Sequence, residues 1–258
     1  MTYKVFVISL KSAKDRHQQV ISSLAREKVD WSFINAVDGS NINELTHESV
    51  DVAACMRFPG YVLKPNEVAC FLSHRALWEK AVILNEPIVI LEDDAILNKQ
   101  FVGKLKEMLE KINVNNIDIL RLGNGGFRSE KKKIHTEEEF SIFRYKEDPL
   151  CALAYLISPE AAMKLLQHSV KFSLPVDNYI WRSDIHNCLV LDVEPHIFYA
   201  EDNGLSTIGY RKKPKSGLFS KIKIEFFRAV HRFKQKRFEK VIFDKIIAGN
   251  FKKVKQRE

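Results

Sequence analysis

Within Pro87-Ile88-Val89-Ile90-Leu91-Glu92-Asp93-Asp94-Ala95, an apolar run ends directly in three consecutive carboxylates. Ile88 to Leu91 has the composition of a strand buried on both faces. Taking an unpaired carboxylate out of water costs on the order of several kcal/mol, so the acids belong at the strand's exposed end, within reach of cations. Open α/β sheets bind ligands at the carboxyl ends of their strands. A divalent metal joined to a phosphate-rich ligand is one chemistry that gathers carboxylates there. An acidic turn capping a following helix is the other, since Asp suits N-caps. Two further places carry reactive side chains. Ser73 and His74 fall inside a predicted helix beside its apolar face, where a lone histidine is more often structural than catalytic. Asp177 follows Pro175 at a predicted helix start, as a cap or as a functional acid.

The elements that would position these groups read as alternating strands and helices. Tyr3 to Leu10 predicts a central strand, Lys11 to Arg26 a helix with Ser12 as N-cap, and Trp31 to Ile34 a second strand. Strand, helix and strand form a βαβ unit and predict a parallel sheet with right-handed crossover. One or two helices are expected between Ile42 and Met56, where periodicity is weak. Pro65 opens a long helix to about Leu84, with Val68, Phe71, Leu72, Leu77, Trp78 and Val82 as its buried stripe. After the acidic strand come a helix over Lys99 to Ile112 and a strand over Ile117 to Leu122. Gly123-Asn124-Gly125-Gly126 then lacks the lysine and spacing of a P-loop and reads as a mobile loop. Lys131 to Glu139 reads as a solvated hairpin or loop. Leu150 to Ile157 is a buried strand, and Ser158-Pro159-Glu160 starts a helix running to about His168. Leu189 to Val193 and His196 to Tyr199 are extended.

At 258 residues the chain suits one large domain or a domain with an appendage. Its four cysteines, Cys55, Cys70, Cys151 and Cys188, contain no close pair, which excludes a zinc ribbon or a CxxC redox motif and favours reduced cytosolic thiols. The first ten residues do not form a signal peptide, and no apolar run approaches the roughly 20 residues of a membrane span. Charge is uneven. From Arg211 onward there are 17 Lys/Arg and 4 Asp/Glu, whereas the first 210 residues carry 24 and 29. The tail's Phe219, Ile222, Phe226, Ala229 and Phe233, then Phe238, Val241, Ile242 and Ile246, recur at helical spacing among Lys and Arg. That pattern fits a helix lying on an anionic membrane surface, a helix docked on the body with a solvated basic face, or a nucleic-acid-binding arm, in that order.

In combination, these segments resemble the lipooligosaccharide-type glycosyltransferases, family 25, which include the collagen galactosyltransferases. Val7-Ile8-Ser9-Leu10 with Asp15-Arg16, and Ala36-Val37-Asp38-Gly39, are similar to the family's amino-terminal donor-binding segment. Cys70-Phe71-Leu72-Ser73-His74 through Trp78 is similar to its Cys-x-x-Ser-His-x-x-x-Trp helix, with Asn66 and Ala69 where the family usually has glycine. Ile88 to Asp94 resembles its strand ending in Glu-Asp-Asp, and Ala154 to Leu166 and Pro175-Val176-Asp177 resemble two later blocks. Each block is weak alone, but five in order are specific.

The resemblance implies an α/β, Rossmann-like GT-A fold over residues 1–210, and charge and helical spacing add a basic amphipathic helical tail over 211–258. It implies an inverting transferase that moves a hexose, galactose before glucose, from a UDP-sugar to a lipooligosaccharide core acceptor. A divalent cation, manganese by family habit, would be held by Glu92 and Asp94, with Asp93 nearby orienting the ribose or the metal's ligands. Ser9, Arg16 and Asp38 would surround the nucleotide, Ser73 and His74 would shape the donor side, and Asp177 is the implied base. The expected setting is cytoplasmic, peripheral on the inner face of the bacterial cytoplasmic membrane, with no nucleic acid as partner. The rival from another class is a non-catalytic membrane- or nucleic-acid-binding protein on a degenerate transferase scaffold.

Overall fold

β1 (Lys4–Ser9) and β2 (Asp30–Asn35) lie parallel and are joined through α1 (Lys14–Leu24), so the predicted βαβ unit is present. The computed structural model describes residues 3–43, 47–112, 117–124, 130–146, 151–200 and 218–247. β3 (Ile88–Glu92) pairs parallel with the other edge of β1. With β5 (Ile119–Arg121), β6 (Lys131–Thr136), β7 (Ser141–Tyr145), β8 (Ala154–Ile157) and β9 (Val190–Glu194), these strands form one eight-stranded sheet in the order β2-β1-β3-β8-β5-β9-β7-β6. The α/β class is as expected, but the sheet is mixed rather than parallel. β8 runs antiparallel to both β3 and β5, and β7 runs antiparallel to β9. The β6–β7 hairpin reverses the chain, and β8 keeps the reversed direction.

The sheet separates two apolar cores. On one side Val5, Val7, Val89 and Leu91 pack with Val20 and Leu24 of α1 and with Leu105, Met108 and Leu109 of α4 (Leu105–Lys111). On the other, Ile88, Ile90 and Ile157 pack with Val68, Phe71 and Trp78 of α3 (Pro65–Leu84) and with Ala161 and Leu165 of α5 (Pro159–Gln167). Pro65 stands at the first turn of α3, where its missing N–H forfeits no helix bond. Glu67 accepts the Lys64 N–H at 2.9 Å and the Tyr61 hydroxyl at 3.2 Å, which satisfies a buried carboxylate at the helix entrance. Asn85 ends the helix in the left-handed conformation, at φ 50°.

Several boundaries differ from the sequence reading. The helix expected over Lys99–Ile112 is divided into a 3-10 turn (Lys99–Phe101) and α4, and Gly103 between them sits at φ 78°. α1 starts at Lys14 without a side-chain cap, so Ser12 does not serve as its N-cap. In the 42–56 region the described helix is α2 (Val52–Arg57), capped by Asp51 accepting the Ala54 N–H at 2.8 Å. Leu72 and Val82 are only partly buried. Gly125 and Gly126, and the tail residues 211–217 and 248–258, lie outside the described residues.

The tail helix α8 (Leu218–Ile247) has 30 residues and rests against α7 (Ser183–His186), α2 and β6. Its second half is docked: Ile242 and Phe243 are buried, and the buried Glu239 carboxylate pairs with the fully buried Arg144 guanidinium of β7. The opposite face points to solvent, where Phe226 and Phe233 are 63% and 68% exposed and Arg237 and Lys240 stand beside them. No described helix is long and apolar enough to cross a membrane.

Candidate active site

The three acids occupy the end of β3 and the two-residue turn into β4 (Ala95–Leu97). β4 in turn pairs antiparallel with β10 (Phe198–Ala200), so a small second ladder fixes the far side of the turn. Because side chains alternate along a strand, Glu92 and Asp93 face opposite sides of the sheet. Glu92 points at α3 and Asp93 at α1.

On the α1 side, Asp93 accepts the Ser9 hydroxyl and an Arg16 Nη1–H, each at 2.6 Å. Ser9 ends β1 and Arg16 lies in the first turn of α1, so the predicted donor residues Ser9, Arg16 and Asp93 form one group. Within it the arginine charge answers the Asp93 charge. A cavity of about 430 Å³ adjoins this group, lined by Gln18, Gln19, Ser22, Ser23, Asp93 and Asp94.

On the α3 side, Glu92 Oε1 lies 3.2 Å from His74 Nε2 and 4.0 Å from Cys70 Sγ. The other ring nitrogen, Nδ1, lies 2.8 Å from the Tyr155 hydroxyl, which also accepts the Trp78 indole N–H at 3.0 Å. His74, Trp78 and Tyr155 are fully buried. When the hydroxyl donates to Nδ1, the imidazole proton sits on Nε2 and faces Glu92. When the hydroxyl turns, Nδ1 donates to it and Nε2 offers a lone pair. His74 can therefore exchange tautomers without moving.

The electrostatics follow from this enclosure. Burial pushes the His74 pKa down to about 4 against the pull of Asp177, so the ring is neutral. Burial, then the charges of Asp94 and Asp93, push Glu92 up to about 8, with Arg16 opposing. Its side chain still keeps 29% of its surface, leaving an approach from solvent. Burial first, then Glu92, Asp177 and Asp94, also push the Cys70 thiol well above its ordinary range. A site that raises a carboxylate through neighbouring carboxylates is one that a cation relieves. The oxygens of Glu92 and Asp94 are hard donors that fit a magnesium- or manganese-class ion.

Asp177 enters from elsewhere in the chain. It lies in the first turn of α6 (Val176–Tyr179), after Pro175, and its Oδ1 accepts the Ala152 N–H at 2.9 Å. Its charge acts on His74, Cys70, Cys151 and Tyr155, which places it beside the Glu92 cluster. Ser73 donates to the Ala69 carbonyl at 2.8 Å and accepts the Val37 N–H at 2.9 Å, so it ties the loop before Asp38 to α3. Asp38 is exposed and caps a 3-10 turn (Gly39–Asn41) by accepting the Ser40 N–H, a bond that lowers its pKa. Gly39 packs so closely that a Cβ there would lie 2.1 Å from Asn66 Oδ1. Asp38 thus stands on a loop locked to α3 at Asn66 and Ser73.

Cys70 and Trp78 entered the sequence analysis as the ends of the Cys-x-x-Ser-His-x-x-x-Trp motif, and Tyr155 within the block from Ala154, but none of them as a site residue. Cys70 and Trp78 stand four residues either side of His74, the spacing of one helix face, and that signal was available. Nothing local marks Tyr155, which meets His74 only through sheet pairing.

A model of glycosyltransferase family 25 (LPS biosynthesis protein) matches residues 2–180. A "probable inactive glycosyltransferase 25 family member 3" of Bos taurus is 30% identical over 193 residues, covering 69% of this chain and 31% of its own length. A "procollagen galactosyltransferase 2" of Homo sapiens is 26% identical over 195 residues, covering 69% and 29%. The chain thus spans about a third of the length of these curated relatives. Among solved structures, a glycosyltransferase involved in glycosylation of the major capsid of PBCV-1 aligns over 89% of this chain and 100% of its own, at 9% identity and a TM-score of 0.45.

Proposed function

Because the chain belongs to glycosyltransferase family 25, we propose that it is an inverting GT-A transferase moving a hexose, galactose before glucose, from a UDP-sugar to a glycan acceptor of the lipooligosaccharide core type. The observation that carries this reading is the acidic turn after β3, with Asp177 brought beside it from α6. Glu92 and Asp94 would hold a divalent cation of the manganese class. That ion, when bound, neutralises the charge that grows on the departing diphosphate. Ser9 and Arg16 fix Asp93, keeping the third carboxylate from competing with its neighbours for the ion. His74, held by Tyr155, orients Glu92. The adjoining cavity of about 430 Å³ is of the size that takes part of a sugar nucleotide. Asp177 would take the proton from the attacking acceptor hydroxyl, as inversion requires of an acid on the acceptor side.

The test is metal-dependent hydrolysis of a panel of UDP-sugars without acceptor, followed by transfer assays. Asp94→Ala should abolish hydrolysis and transfer, whereas Asp177→Asn should lose transfer and keep UDP binding. Full activity of Asp94→Ala, or activity unaffected by chelator, rejects the metal assignment. Loss of UDP binding in Asp177→Asn moves that residue to the donor side. A non-catalytic role is the second reading, supported by the relatives whose names mark them inactive. UDP binding without hydrolysis or transfer of any panel member would favour it.

We further propose that the outward face of α8 holds the protein against the cytoplasmic face of the membrane. Phe226, Phe233, Arg237 and Lys240 stand opposite the docked face, and a basic helix with exposed aromatics suits an anionic surface. Phe226→Ser with Phe233→Ser should weaken sedimentation with anionic vesicles. Unchanged partitioning would leave α8 as a docked element alone.

A further inference from the structure

The cluster on the α3 side of the acidic turn has a donor set different from the one a magnesium- or manganese-class ion prefers. Cys70 Sγ, His74 Nε2 and Glu92 Oε1 all lie within 4.8 Å of one another. Cys70 and His74 are four residues apart on one face of α3, and Glu92 is the last residue of the strand beneath them. Glu92 Oε1 is 3.2 Å from the imidazole nitrogen and 4.0 Å from the sulfur. Ligands about 2.0–2.3 Å from one tetrahedral ion lie about 3.3–3.6 Å apart, so side-chain shifts of about half an ångström would complete the geometry. We infer that Cys70, His74 and Glu92 form a three-ligand site for a thiophilic divalent ion of the zinc class, with the fourth position open to water.

Two features beyond proximity favour it. The far nitrogen of His74 already meets the Tyr155 hydroxyl at 2.8 Å, which Trp78 holds in place at 3.0 Å. A metal-bound histidine needs such a partner to fix its ring plane and keep its proton on the nitrogen away from the metal. Thiolate, imidazole and a single carboxylate also form a set that selects zinc over magnesium or manganese by ligand softness. Binding releases the Cys70 thiol proton to solvent as the sulfur–metal bond forms. The exposed edge of Glu92 is the entry path. The inference touches the transferase reading at one residue, because an ion in this site takes Glu92 from the donor metal.

Cobalt(II) is the probe, since it takes zinc sites and is coloured. The full chain, stripped with chelator and dialysed, is titrated with Co2+ without any sugar nucleotide. One equivalent should bring up a near-ultraviolet thiolate-to-cobalt charge-transfer band with the visible bands of a four-coordinate ion. Equimolar Zn2+ should bleach both, and equimolar Mg2+ should leave them. Cys70→Ser should remove the charge-transfer band and weaken cobalt binding by more than the roughly ten- to hundredfold that loss of a ligand's outer partner costs, whereas Cys151→Ser should keep the band. Absence of the band in the unsubstituted protein overturns the inference whatever the variants do. So does a band that survives in Cys70→Ser, or one that Mg2+ bleaches as readily as Zn2+. The spectrum needs no turnover, so its failure leaves the transferase reading standing, and an inactive protein with the band leaves the site standing.

Discussion

Replacing Glu239 by Ala removes a buried carboxylate that pairs with the buried Arg144 guanidinium. Both partners are inside the protein, Arg144 fully and Glu239 all but 3% of its side chain. Arg144 also donates from Nη1 to the Val190 carbonyl at 2.9 Å. Removing one member of a buried pair costs roughly 3–5 kcal/mol, most of it the stranded charge. The protein has another way out, which is to release the second half of α8 and let water reach Arg144. Release exposes Ile242 and Phe243, at about 1.5–3 kcal/mol each. The two routes are therefore of similar size, and α8 should open locally before the sheet unfolds. Native-state hydrogen exchange should show amides of the docked half of α8 losing about two to three decades of protection, at about 1.4 kcal/mol per decade. Amides of β1 and β3 should change far less. Arg144→Met with Glu239→Leu removes both charges and should recover most of the loss. Protection in α8 within about threefold of the unsubstituted protein, or a double variant as weak as the single one, would refute the reasoning. The same arithmetic makes deletion of the whole tail a poor probe of membrane attachment, because it also takes Glu239 away from Arg144.

Two smaller perturbations test the inside of the body. Tyr155→Phe leaves the Trp78 indole N–H and the His74 Nδ1 facing a ring edge in a fully buried place. At roughly 1–3 kcal/mol for each unsatisfied group, urea unfolding should show a loss of about 2–6 kcal/mol, and a loss below about 0.5 kcal/mol would show that the network carries no stability. His186 donates from Nε2 to the Ile180 carbonyl and accepts the Cys188 N–H at Nδ1, and burial holds its pKa down at about 4. Its folded pKa lies below the unfolded value near 6.5, so its contribution is intact above about pH 6.5 and is lost as pH falls toward 4, by roughly 3 kcal/mol at pH 4. His186→Asn should therefore flatten the acid limb of the stability profile. Stability curves for the two proteins that stay parallel from pH 7 to 4 would refute the assignment.

The parts of the fold legible in the sequence are those whose cause is local. α3 spans Pro65–Leu84 as expected because its start is fixed by a proline and its length by an apolar stripe. Ser158 caps α5 by accepting the Ala161 N–H, again a contact between near neighbours. Gly103 could have been read as a break in the helix expected over 99–112, but a single glycine inside an amphipathic pattern is tolerated often enough to be overlooked. The direction of β8 was not legible. Its four buried residues suit a parallel or an antiparallel neighbour equally, and the hairpin between β5 and β8 decides which. Long-range polar pairs were equally silent. Arg144 and Glu239 are 95 positions apart in the numbering and read as ordinary solvated charges until the tail helix brings them together.

For the candidate site the sequence located the acids, and the fold divides their labour. Glu92, Asp93 and Asp94 are adjacent in the chain, yet the pleat sends the first toward α3 and the second toward α1. Asp93 meets a cation and a hydroxyl on its side, so that carboxylate is answered within the protein. Glu92 meets a neutral imidazole and a thiol, neither of which carries a positive charge to offset it. The energetic strain of three neighbouring carboxylates is therefore concentrated at Glu92, the residue whose pKa burial and its two acidic neighbours push up to about 8. A positive ion arriving at Glu92 and Asp94 would remove that strain, and a guanidinium in place of His74 would remove it permanently. A site that had to stay loaded by protein charge alone would carry such a guanidinium. On the proposed reading, in which the site accepts and releases a cation together with a diphosphate, the neutral histidine found there serves better.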